Sequence, residues 1–190
     1  MSTRSRLRNA VVAAAAGVAA VVGAPQAAAD PGPLLPLVDA AAQRLQVADP
    51  VAANKWVTKG SIEDPARVEQ VLAAVGDDAT ARGIDGQWVR GVFTDQIRAT
   101  EGIEYIRFGQ WKLDPAVAPT TAPDLASSRG VIDGLNKTLV EQLALQQPVL
   151  RSPECPARVA DAVGAVSTAR ALDPLYRQAL TFVTRSYCTP

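Results

Sequence analysis

The stretch from Asp85 to Phe108, DGQWVRGVFTDQIRATEGIEYIRF, decides the reading of the whole chain. Val89, Val92, Phe93, Gln96, Thr100, Glu104 and Phe108 recur at steps of three and four. A helix of 3.6 residues per turn places them on one side. Asp85 is suited to cap the free N–H groups at its start. Gly102 and Gly109 each lower the intrinsic helix stability by up to about 1 kcal/mol relative to Ala, so packing must hold this helix together. Thr100 and Glu104, four apart, stack on the same face.

The flanking segments carry the same period. Leu34, Leu37, Val38, Ala41, Ala42 and Leu45 predict a first helix, and its apolar face continues through Val51, Ala52 and Trp56. Pro50 interrupts it, because it has no N–H for the Gln46 carbonyl and its ring crowds that turn. The expectation is one long helix, kinked near Pro50, to about Lys59. Ser61-Ile62-Glu63-Asp64 resembles a capping box opening a second helix through Arg67, Val68, Val71, Leu72 and Val75. Pro115, Pro119 and Pro123 make Asp114–Pro123 a loop. A fourth helix is expected from about Asp124 to Gln147, stopping before Pro148, and a fifth from Pro156 to Arg170. Asp173-Pro174, an N-cap followed by a proline at the first helical position, opens a sixth that ends at Cys188. No segment alternates β-branched residues with period two. The fold class is therefore all-α, with about six helices in one domain spanning 30–190.

The N-terminus reads differently. Arg4, Arg6 and Arg8 precede an apolar run from Ala10 to Gly23, and Ala27-Ala28-Ala29 supplies small residues before Asp30. Those features describe a signal peptide, residues 1–29, cleaved near Ala29. The run falls short of the roughly 20 apolar residues that a membrane-spanning helix needs. The whole chain has 19 basic and 19 acidic residues. Removing three arginines and no acid leaves 16 against 19, a net −3. A mildly acidic surface favours neither nucleic acid nor an anionic membrane, so any cationic site has to be local. Two cysteines in an exported chain are most simply a disulfide, Cys155–Cys188. The loop-entropy account credits such a closure with roughly 3–4 kcal/mol.

Histidine is absent from the chain. That removes Ser-His-Asp and Cys-His catalysis, most zinc sites and imidazole as a general base. No glycine-rich phosphate loop or G-x-S-x-G elbow occurs. Carboxylates, Lys, Arg and hydroxyls remain.

Four segments, AAQRLQVADPVAANKW (41–56), IEDPARVEQ (62–70), DQIRATEGIEYIRF (95–108) and DLASSRGVIDGLN (124–136), stand behind a signal peptide and ahead of a cysteine pair. In this order they resemble the secreted chorismate mutases, the exported gamma subclass of the all-helical AroQ type, over nearly all of residues 35–188. The residues fit that family's needs. Arg44 and Lys55 are three turns apart on one side of a continuous helix. Arg67 follows Asp64 by three, and Arg129 lies early in the fourth helix. Arg guanidinium groups bind carboxylates with a planar, two-pronged fork, so such a cluster suits a small dianion. Each residue also has a plainer role open to it. Thr100 can bond back to its own helix, Glu104 can pair with Arg98 or Arg107, and Asp64 can serve as the capping acid.

The resemblance implies rearrangement of chorismate to prephenate, with no cofactor and no metal, in an exported homodimer. It assigns Arg44 and Arg129 to the substrate carboxylates, Thr100 to their support, and Arg67 to the pyruvyl side. Lys55 and a protonated Glu104 would face the ether oxygen, with Asp64 near the ring hydroxyl. Lys55, Glu104 and Arg67 are the expected catalytic groups. Val71, one turn after Arg67, makes that wall apolar where exported relatives can carry a polar residue, with Gln70 turned away. The competing reading is an exported helical module that binds an anion without catalysis.

Overall fold

The computed structural model describes residues 32–188; the expected signal peptide, residues 1–29, lies outside them. Every regular element among the described residues is helical: α1 (Leu35–Gln46), α2 (Ala48–Thr58), α3 (Pro65–Ala81), α4 (Gly86–Leu113), α5 (Leu125–Leu145), the single turn α6 (Gln147–Leu150), α7 (Cys155–Ala169) and α8 (Pro174–Thr184). A short 3-10 turn, Pro115–Val117, lies in the proline-rich loop. No helix of the described residues is long and apolar enough to cross a membrane.

The chain folds around α1, which packs against α5, α7 and α8. Leu37, Val38, Ala41 and Leu45 have no exposed surface, and Ala40 and Ala42 almost none. Alanines on several sides of one helix let its neighbours approach closely, and the larger residues fill the gaps between them. Phe93 from α4, Leu139 and Leu143 from α5, Leu180 and Val183 from α8 and Tyr187 beyond it complete the core. The Cys155–Cys188 disulfide joins the start of α7 to the segment after α8.

The kink near Pro50 is a one-residue break at Val47, whose backbone keeps helical angles (φ −71°, ψ −12°). Pro50 sits in the first turn of α2, where its missing N–H deprives only the helix end. Arg44 and Lys55 thus stand on consecutive helices joined through a single residue. Helix α2 ends at Lys59, a left-handed residue (φ 60°), with the Gly60 N–H donating to the Lys55 carbonyl at 2.8 Å.

The expected capping box is not formed. Asp64, not Ser61, is the N-cap of α3, and its carboxylate accepts from the Arg67 N–H at 3.1 Å. Pro65 at the first helical position accounts for this shift, since its fixed φ favours helix from there and disfavours it for the residue before. Asp85 and Asp173 cap α4 and α8 as expected, and Asp124 caps α5. Helix α5 ends at Leu145, and helical geometry restarts at Gln147 with Pro148 in the first turn. Helix α8 stops at Thr184, four residues short of Cys188.

Helices α3 and α4 form an extensive pair. A Cβ on Gly86 would lie 2.7 Å from the Gly76 carbonyl oxygen, so glycine is what lets the start of α4 touch the α3 backbone.

Candidate active site

The side chains singled out in the sequence meet in one cavity. Arg44 comes from α1, Lys55 from α2, Asp64 and Arg67 from the start of α3, Thr100 and Glu104 from mid-α4, and Arg129 from early α5. The cavity encloses about 100 Å³ and opens to solvent at its mouth. Val51, Val68, Val71 and Ile97 give it apolar walls. Val71 faces the cavity, as its position one turn after Arg67 implied, while Gln70 accepts from Arg67 Nη1 at 2.9 Å beside it.

Glu104 is 2% exposed, and burial pushes its carboxyl up to about 7. Lys55 opposes that shift, donating from Nζ to Glu104 Oε2 at 2.8 Å. The neighbouring Glu101 carboxylate adds to the upward push. Lys55 Nζ also donates to the Ile62 carbonyl at 2.5 Å. Two acceptors on different segments therefore fix where the ammonium points. Glu104 pairs inward with Lys55, and not with Arg98 or Arg107; Arg107 is taken by Asp49, with Nε to Oδ1 at 2.6 Å.

Arg44 is 5% exposed, and burial draws its guanidinium down to about 10, still far above neutral pH. Its Nε donates to Asn136 Oδ1 at 2.8 Å, and Nη1 reaches Thr100 Oγ1 at 3.4 Å. The Thr100 hydroxyl donates to the Gln96 carbonyl at 2.8 Å. The plain role and the site role coexist: Thr100 bonds back to its helix and presents its oxygen to Arg44.

Arg67 Nη2 pairs with Asp133 on α5. Arg129 Nη2 donates to Asp64 Oδ2 at 2.7 Å, so Asp64 caps α3 with one oxygen and holds Arg129 with the other. The four cations would repel one another in a shared cavity. Each is held by oxygens of the protein: Glu104 and the Ile62 carbonyl for Lys55, Asp133 and Gln70 for Arg67, Asp64 for Arg129, and Asn136 and Thr100 for Arg44. A dianion entering the cavity meets cations already in place.

Asp133 and Asn136 were missed in the sequence reading. Their signal was the spacing of Arg129, Asp133 and Asn136, four and three apart on α5, which puts them on one face. That spacing alone does not reveal which arginine lies opposite.

Residues 36–105 match the family described as chorismate mutase type II. A protein of Mycolicibacterium smegmatis named secreted chorismate mutase is 55% identical over 183 residues, covering 96% of this chain and 99% of that one. One of Mycobacterium tuberculosis with the same name is 51% identical over 170 residues, 89% of this chain and 85% of its own. The crystal structure of a chorismate mutase from Burkholderia phymatum superposes with a TM-score of 0.80 at 32% identity, covering 86% of this chain and all of that one. Fold, cavity and near full-length identity agree, and the chain belongs to the chorismate mutase family.

Proposed function

We propose that this protein rearranges chorismate to prephenate in one pericyclic step, outside the cytosol. The observation that carries the proposal is the single cavity in which Arg44, Lys55, Arg67 and Arg129 surround a carboxyl group raised to about 7. The reaction breaks a C–O bond as a C–C bond forms and needs neither nucleophile nor proton carrier. Two effects are then available to the protein. One is confinement of the flexible enolpyruvyl arm against the ring, a proximity effect. The other is a set of fixed donors aimed at the ether oxygen, where negative charge builds in the transition state.

In this reading Arg44 and Arg129 bind the two substrate carboxylates, with Thr100 steadying Arg44. Arg67 holds the pyruvyl side. Lys55 and protonated Glu104 donate to the ether oxygen. Asp64 meets the ring hydroxyl when Arg129 turns to the substrate. Fixed charges beside apolar walls and buried groups act more strongly than the same charges in bulk water. Export by cleavage of residues 1–29 is supported by relatives named as secreted. A homodimer with a complete site in each subunit follows from the family resemblance, and sedimentation analysis tests it.

Purified protein is incubated with chorismate while its ultraviolet absorbance is followed and prephenate is identified by chromatography. Enzyme-dependent loss of chorismate with matching gain of prephenate is the expected result. Binding of chorismate without turnover refutes catalysis.

A further inference from the structure

Asn136 is buried and pinned to a cation that faces the cavity, yet it does not line that cavity itself. It borders the neighbouring groove between α3 and α5, together with Asp133 and Lys137. It therefore reaches Arg44 from behind. We infer that Asn136 is the positioning residue for Arg44, its neutral amide oxygen aiming the guanidinium while leaving the full positive charge for a substrate carboxylate. The inference rests on the function proposed above and goes beyond it, to how the fold keeps a buried arginine available.

Guanidinium is planar with five N–H donors in a rigid fork. Anchoring Nε to Asn136 at 2.8 Å and Nη1 to Thr100 at 3.4 Å sets the plane. The remaining N–H groups have no acceptor among the described residues and are available to a carboxylate. Without Asn136 the long side chain regains rotamers that point elsewhere, and a displacement of about 1 Å can lower a rate about a hundredfold.

The neutrality of the amide matters as much as its position. Arg44 and Asn136 are each 5% exposed. An acid at this depth would form a tight, poorly screened ion pair with Arg44, and a substrate carboxylate would meet a neutralised partner. The same helix face shows the contrast. Asp133, 51% exposed, uses a carboxylate to hold the more accessible Arg67, and there solvent screens the pair so that Arg67 can still attract an anion. A charged acceptor stands at the wet position and a neutral one at the dry position.

The test uses Asn136→Asp and Asn136→Leu in the full-length processed protein. The readouts are steady-state kinetics with chorismate, calorimetric Kd for prephenate, and thermal unfolding. Asn136→Asp is expected to fold with a Tm at or above wild type, while KM for chorismate and Kd for prephenate rise at least about tenfold and kcat changes less. Asn136→Leu is expected to lower kcat/KM at least about tenfold in the fraction that remains folded. A purely structural asparagine predicts wild-type KM and prephenate Kd for the stable acid variant, and that result overturns the inference. If Asn136→Leu does not fold, Asn136→Asp decides alone. Wild-type turnover is the separate control on the proposed function; should it fail, the prephenate Kd ratio still tests Asn136.

Discussion

Glu104→Gln, assayed from pH 5 to pH 9, probes the group on which the proposed chemistry turns. Glu104 is 2% exposed, and burial raises its carboxyl to about 7 despite the ammonium of Lys55 at 2.8 Å. To donate to the ether oxygen it must carry its proton. With an acid at about 7, the protonated fraction of free enzyme is nearly complete at pH 5, about one half at pH 7 and about a hundredth at pH 9. Because kcat/KM reports the free enzyme, it should fall about tenfold per pH unit above 7. A bound dianion raises the carboxyl further, so kcat should hold to higher pH. The Gln amide is a donor at every pH, and the variant's profile should be flat across the range. The same group also tilts stability. Its folded pKa lies above its ordinary value of 4.5, so the native state binds the proton more tightly than the unfolded chain. Stability is fully present below pH 4.5 and is lost as pH rises through 7, by on the order of 3 kcal/mol. Glu104→Gln should lack that slope in denaturant melts. If the variant keeps the wild-type decline of kcat/KM with pH, another group titrates and the role given to Glu104 is wrong.

Three further outcomes follow from the geometry. Arg129→Ala should lower kcat/KM by about 3 kcal/mol of transition-state stabilisation, roughly a hundredfold, while its half-exposed pair with Asp64 contributes under about 1 kcal/mol to unfolding; near wild-type kinetics would remove it from the site. Asp64→Asn should keep the α3 cap, since Asn caps as well as Asp, whereas Asp64→Ala should lose about 1 kcal/mol in urea melts; both should alter kcat/KM, and equal stability in the two would refute the capping role. Cys155→Ser with Cys188→Ser opens the disulfide and should lower stability by roughly 3–4 kcal/mol, or on the order of 10 °C in Tm, with kcat preserved well below the new Tm; an unchanged Tm would show that the C-terminal segment is held by packing alone.

That these residues share one cavity was partly legible, because several of their spacings are local. Arg44 and Lys55 lie three turns apart, Thr100 and Glu104 share a face, and the family pattern adds Asp64, Arg67 and Arg129. The partners themselves were not legible. Asp133 lies 66 residues from Arg67, and Asn136 lies 92 from Arg44, and no periodicity in one helix encodes which side chain of another it will meet. The cap of α3 was misread because Ser61 and Asp64 both satisfy the chemistry of an N-cap, and only the backbone restriction imposed by Pro65 separates them.

By itself the sequence determined the all-helical class, the proline-rich loop, most of the caps and the absence of imidazole chemistry. These follow from a short-range period, from fixed proline dihedrals and from composition. Tertiary structure alone decided that Val47 carries the break, that Gly86 touches the α3 backbone, and that Glu104 is dry enough to hold a proton near neutral pH. Burial and cross-helix hydrogen bonds depend on how several helices pack at once. That packing turns separate charges along the chain into one site.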